Sequence, residues 1–321
     1  KMKKKSTKLN LTDPINQKNL FGYDNYFNLF INMVKKEKLP NKILLTGISG
    51  IGKSTFAHHF INYVFSENEE YMYELNKFTI KKNNKSFKLL NENIHPNFFK
   101  IDLKEGSQSI DINQIRDMIG YINKTSFAGN KKFILIDNVE NLNINSVNAL
   151  LKNIENPNEN TFFILIYDSS KNIVKTLKSR CLEFKIFFSQ KDKFNILNNL
   201  LNQSEIEYDS KVLENIVTYY DSPGNIIKKL NYYKENKILL DEVSTKNIVL
   251  ELINSYKKSN KNDNLEIIKS LIELSFFYKF KKTKNKQKNY LFYSYFIKQI
   301  QLAKIYNLDL NNLFLQFKKS I

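Results

Sequence analysis

Apolar positions in the first half of the chain come in two rhythms. Short continuous runs at Ile43–Thr46, Phe98–Leu103, Phe133–Ile136 and Thr161–Tyr167 have the length and the β-branched or aromatic content of strands buried on both faces. Between them the spacing changes to that of amphipathic helices. Asn113–Ile122 is one; Ile144–Glu155 is another, with Ile144, Val147, Leu150, Leu151 and Ile154 on one face and Asn156-Pro157 to stop it. Strands alternating with helices predict an α/β domain built on a parallel sheet, to about residue 185. From about Ser189 the strand rhythm is gone. Val212–Tyr220, Val243–Tyr256 and Leu265–Tyr278 carry helical spacing. The turn Asp221-Ser222-Pro223-Gly224 is expected to start a further helix, because proline suits a first turn. Lys279–Asn289 is a lysine-rich break, and no internal repeat is present. Two helical parts are therefore expected after the α/β domain.

Composition narrows the class. A chain of 321 residues, 42% of them hydrophobic, can bury two or three cores. Eight glycines and five prolines are too few for a loop-rich all-β design. One cysteine excludes a disulfide framework and, with three histidines, a Cys/His zinc site. The longest apolar run, Phe162–Tyr167, is far short of the roughly 18 residues that span a bilayer, so no membrane is expected. The lysines at the start have no apolar stretch behind them, and the chain reads as cytoplasmic. The net charge of +18 would suit nucleic acid. A lysine- and asparagine-rich coding bias would give the same surplus, and both readings stay open. Arginine stands only at Arg116 and Arg180. Its planar fork cannot be imitated by lysine, so both positions draw notice.

The strongest chemical signal is Gly47-Ile48-Ser49-Gly50-Ile51-Gly52-Lys53-Ser54-Thr55. It fits G-x-x-x-x-G-K-[ST] in full, after a predicted strand and before a predicted helix, Thr55–Phe65. Glycines let successive N–H groups turn inward around phosphate oxygens, and the helix N-terminus favours the anion. ATP with Mg²⁺ is the expected ligand. Gly47, Gly50, Gly52 and Thr55 shape the cradle, Lys53 reaches the β/γ phosphates and Ser54 faces the metal. Phe133-Ile134-Leu135-Ile136-Asp137 reads as the second acidic strand of such a site, with Asp137 behind the Mg²⁺. Hydrolytic sites of this class usually place Glu next. Here Asn138 follows, and an amide is no base. Glu140, two residues on, is expected to face another way. The reading is a site that holds ATP and is poorly equipped to cleave it.

Phe21-Gly22-Tyr23, the loop Gly47–Thr55, His95-Pro96, Ile112–Arg116, Asp137, Asn148-Ala149-Leu150-Leu151-Lys152 and Ser179-Arg180-Cys181 occur in one order and spacing. In this the chain resembles the clamp-loader subunits of bacterial DNA polymerase III, an AAA+ family, and within them the delta prime branch. The resemblance covers nearly the whole length. In the C-terminal third it rests mainly on length and on Asn307-Leu308-Asp309. It implies a nucleotide-fold domain at residues 1–185, a helical lid at 186–238 and an all-helical collar at 239–321 that joins subunits into a ring. The partners it implies are the gamma/tau and delta subunits, a sliding clamp and primed DNA. It makes Arg180 an arginine finger acting in trans on a neighbour's ATP, against a local role in which Arg180 pairs with an acid or caps a helix. It gives Arg116 a phosphate contact to DNA, against a structural salt bridge.

Three departures bear on the branch. Asn138 replaces the motor subunits' Glu, Gly224 stands at the position of their sensor arginine, and Tyr167-Asp168 stands where they carry small hydroxyl residues. All three imply a stator that turns ATP over weakly or not at all; a gamma/tau-type motor ATPase is the alternative. Ser66–Glu92, where many of these subunits carry a cysteine-rich zinc module, has no cysteine, so no zinc is expected. His58, His59, His95 and Cys181 read as packing or turn residues, and the aromatics of Phe276–Phe280 and Tyr290–Phe296 as helix-packing core.

Overall fold

A computed structural model describes residues 13–104, 107, 109–124, 131–155, 157–158, 160–203, 221–235, 276, 280, 286–306, 313 and 315–316. Val212–Tyr220, Val243–Tyr256, Asn307-Leu308-Asp309 and Asn156 lie outside these residues, as do nearly all of Leu265–Tyr278 and much of the lysine-rich break. The chain divides into two compact units, one to Lys228 and one from Lys229.

In the first unit, five strands form one parallel sheet. They are β1 (Lys42–Gly47), β2 (Phe98–Ile101), β3 (Lys132–Ile136), β4 (Thr161–Asp168) and β5 (Leu182–Lys185). The order is β2-β3-β4-β1-β5, with every pair parallel. The central strands are continuous apolar runs because both faces are covered. On one face Ile43, Leu45, Phe133, Leu135, Ile164 and Ile166 join a core that includes Phe27, Phe30, Phe56 and Phe60. These come from α1 (Asp24–Lys35) and α2 (Lys53–Phe65). On the other face Leu44, Ile134, Ile136, Phe163 and Leu165 meet Ile115, Met118, Leu150 and Leu177. Here the cover is α4 (Ile112–Ile122), α5 (Ile144–Glu155) and α6 (Lys175–Lys178). Strict alternation along β1, β3 and β4 is the period of two that divides the cores.

The expected α/β architecture with a parallel sheet is therefore present. Phe98–Leu103 is shorter than expected. The strand stops at Ile101, and the Asp102 carboxylate accepts from Leu103 N at 2.7 Å, turning the chain. β5 has no continuous apolar run to announce it: Leu182, Glu183, Phe184 and Lys185 are exposed or half-buried at the sheet edge.

Residues 66–92 are held by polar bonds and rings. Asn84 caps α3 (Lys85–Asn91) by accepting from Phe87 N. The Asn84 amide also donates to Tyr71 O and accepts from Asn62. Glu69 receives N–H bonds from Lys85 and Ser86. Tyr73 stacks on Phe27 at 5.1 Å, and its hydroxyl meets His59 Nδ1 at 2.9 Å. Burial keeps His58 and His59 neutral, their pKa pushed down to about 3, and His95, stacked on Phe65, down to about 4.

Beyond the sheet, α7 (Gln190–Gln203) and α8 (Pro223–Glu235) are described, α8 opening at Pro223 as expected. In the second unit the 21-residue α9 (Lys286–Tyr306) buries Phe296, whose ring neighbour Phe292 packs against the buried Phe276. Phe276 and Phe296 thus have the packing role read from the aromatic stripe, whereas Tyr290 and Tyr295 are exposed. No described helix is long and apolar enough to cross a membrane.

Candidate nucleotide-binding site

The strand order fixes the site. β4 lies between β1 and β3, so the loop after β1 and the acid after β3 are two strand spacings apart, roughly 10 Å. Ligands of open parallel sheets settle in such a crevice at the carboxyl ends of the strands. A cavity of about 530 Å³ lies there, within the range of small-molecule sites. Residues 49–55, Asp137, Asn138, Glu140 and Asp168 line it on one side; Pro14, Leu20, Phe21, Ile196 and Leu200 give it an apolar end.

Six consecutive carbonyls of the loop are occupied. Lys53 Nζ donates to Gly47 O at 2.7 Å and Ile48 O at 2.8 Å. Ser49 O accepts from the Asn225 amide at 3.4 Å, and Gly50 O from Gly224 N at 3.0 Å. Ile51 O accepts from the Tyr23 hydroxyl at 3.1 Å and Gly52 O from Phe56 N at 2.9 Å. The carbonyls are thus engaged, while the N–H groups of residues 48–54 have no acceptor among the described residues. Gly50 at φ +75° and Gly52 at φ +100° supply the left-handed turns this requires. A run of inward N–H groups at the start of a 13-residue helix is a nest for phosphate.

Lys53 is buried, which lowers its pKa; the carboxylates of Asp168, Asp137 and Glu140 oppose that shift. Burial, and then the neighbouring Asp102, raise the pKa of Asp137. Ser54 lies near enough to Asp137 to counter this rise, yet its buried Oγ completes no hydrogen bond. An orphaned hydroxyl beside a carboxylate that resists ionising is a donor set that fits Mg²⁺. Thr55 follows in the first turn of α2 and lines the same cavity.

The β3 side differs from expectation at one residue. Asn138 adopts the left-handed conformation, φ 55°. Its amide donates to Asp102 Oδ1 at 2.9 Å, and Asp102 pairs with Lys100 at 3.0 Å. Val139–Asn141 then forms a 3₁₀ turn. Glu140 was expected to face away; instead it lines the cavity, its side chain 1% exposed. It is clamped there by Lys171 Nζ at 3.0 Å and Asp168 N at 3.2 Å.

The two arginines lie apart from this cluster. Arg180 is exposed after α6; its Nε donates to Glu155 Oε1 at 2.8 Å and its Nη1 to Thr176 O at 3.0 Å. The local acid that the sequence left open thus exists, in a solvent-exposed pair of the weak kind. Arg116, exposed on α4, donates to Asn113 Oδ1 at 3.2 Å. Cys181 is half-buried, and burial raises its pKa to about 11, consistent with packing.

The family described as "DNA polymerase III, delta subunit" matches residues 22–189, just over half of the chain. Subunit delta' of DNA polymerase III from Pseudomonas aeruginosa is 31% identical over 140 residues, 44% of this chain and 41% of that protein. Subunit gamma from Buchnera aphidicola subsp. Schizaphis graminum is 29% identical over 232 residues, 71% of this chain and 61% of that one. The chain thus spans about half the length of the curated relatives it matches. Among solved structures, a gamma subunit-related protein of DNA polymerase III from Thermotoga maritima aligns at a TM-score of 0.47 and 14% identity, over 91% of this chain and 96% of that one.

Proposed function

The chain belongs to the DNA polymerase III delta-subunit family, in its delta prime form, and from that we propose a stator: a clamp-loader subunit that binds nucleotide without turning it over. The observation that carries this reading is the pairing of a complete phosphate nest with an Asn138 whose amide is spent on Asp102. Residues 48–54 and Lys53 hold the phosphates. Ser54 and Asp137 hold the Mg²⁺, which offsets phosphate charge when bound. No base stands at position 138 to draw a proton from water. The lid at 186–238 and the collar at 239–321 complete the subunit in this reading.

Its work is done in an assembly with gamma/tau and delta subunits, in the cytoplasm, where a sliding clamp is placed on primed DNA. Arg180 swings from Glu155 to a neighbour's ATP. The exposed pair that holds it is worth about 0–1 kcal/mol, little enough to exchange for a γ-phosphate. Arg116 on α4 contacts DNA phosphate without reading sequence. The test is a reconstituted loader carrying Arg180→Ala. Assembly should persist while ATP turnover by the complex falls by about 10³-fold at the dependent site; unchanged turnover removes the finger role.

A motor ATPase is the second reading, favoured by Glu140 at the cavity wall. Against it, both Glu140 oxygens are already bonded, one to Asp168 N and the other to the Lys171 ammonium, so neither is left to orient a water.

A further inference from the structure

Resting on the reading that the cleft binds nucleotide, we propose that it selects by phosphate number, holding a nucleoside diphosphate in preference to a triphosphate, and that Asp168 sets this choice. Asp168 ends β4 and is the register partner of Gly47, so it stands between the loop and Asp137. Three carboxylates bear on Lys53 here, and each has a different fate. Glu140 is neutralised by Lys171. Asp137 is the one a divalent cation takes up. Asp168 accepts only from neutral donors, Ser170 N at 3.0 Å and Ser170 Oγ at 2.9 Å, and no described cation lies within ion-pair distance of it. Lys53 offsets its charge only from beyond ion-pair distance and is shared with Asp137 and Glu140, so negative charge remains toward a phosphate beyond the nest.

A second feature has the same sign. A compensating cation cannot be carried at position 224, because the helix start is pressed on the loop. A Cβ on Gly224 would lie 2.7 Å from Gly50 O and 3.2 Å from Gly50 Cα. The next cation on that helix, Lys228, lines the cavity a full turn away, exposed and with no partner among the described residues. A cation so placed is hydrated and screened. The nest serves the first two phosphates equally in either nucleotide, while at the third the Lys53 ammonium is already shared with Asp168, so the added phosphate gains little and the diphosphate is favoured.

The test is calorimetric binding of Mg²⁺–ADP and of Mg²⁺–AMP-PNP, a triphosphate analogue that is not hydrolysed, to the full chain and to Asp168→Asn. The wild-type chain should bind ADP about tenfold more tightly, a factor of the order expected for one partly screened charge pair. Asp168→Asn keeps an acceptor for Ser170 and should bring the two affinities within about threefold. Equal affinities in the wild type overturn the proposal and leave the nucleotide site standing, as does a preference that survives Asp168→Asn. No binding of either nucleotide overturns both. Thermal shifts with each nucleotide, in the wild type and in Asp168→Ser, give the same ratio independently should the asparagine variant fold poorly.

Discussion

The two sides of the cleft are built to opposite standards. On the β1 side every loop carbonyl from Gly47 to Gly52 has a donor and the inward N–H groups are left for a ligand. On the β3–β4 side the groups that would act on a bound phosphate are absent or engaged elsewhere. Asn138 is turned to Asp102, Glu140 is bonded through both oxygens, and Asp168 adds charge of the wrong sign. Binding needs fixed backbone geometry, while cleavage needs a free base and a cation at the third phosphate. A site can therefore keep the first when it lacks the second.

The largest break in that contrast is Lys53→Ala. Loss of the ammonium should weaken nucleotide binding by about 100-fold or more, the order expected of a charge-assisted phosphate contact in a buried site. Calorimetry checks it, and folding should survive because Gly47 O keeps its bond from Ser169 N. Asn138→Glu sharpens the contrast from the other side. The new carboxylate would face Asp102, so urea unfolding should show a loss of about 1–2 kcal/mol, and hydrolysis should stay at background. Adding Asp102→Asn should recover most of that stability.

Lowering the pH separates the sides by titration. Asp137 has a raised pKa, so it takes up its proton at a higher pH than a free aspartate. The Mg²⁺ dependence of binding should fade as pH falls through that point, while the nest continues to hold phosphate. The fold imposes a boundary. His58 and His59 are pushed down to about 3 and His95 to about 4. Their contribution to stability is complete above the ordinary histidine value of about 6.5 and is lost as pH falls toward these lower ones. Urea midpoints should record about 1.4 kcal/mol per pH unit for each imidazole in that window. The smallest effect is expected for Arg180→Ala in the isolated chain: a stability change under about 1 kcal/mol by the same unfolding assay, because the Glu155 pair is exposed.

The β1 side was legible in the sequence because its geometry is local. Nine consecutive residues specify the turn, and the central strands announce themselves as apolar runs. The β3 side was not. Glu140 was misjudged because spacing alone does not show how the chain leaves β3, where side chains alternate between faces. Asn138 breaks that alternation at φ 55°, and the 3₁₀ turn then brings residues three apart onto one side. The bond from Asn138 to Asp102 joins residues 36 apart, and the Gly224 contact joins α8 to the loop. Neither has a signature in spacing. β5 was missed for a different reason, since a half-exposed edge strand of four residues has no continuous apolar run to show.

The central claim is that this chain holds nucleotide without cleaving it. The most direct measurement is release of inorganic phosphate from Mg²⁺–ATP by the purified chain, with and without primed DNA, at a nucleotide concentration shown by calorimetry to saturate the site. The account predicts release at background in both cases, unchanged by Lys53→Ala. Release above background that Lys53→Ala abolishes would contradict it and would make Glu140 the base.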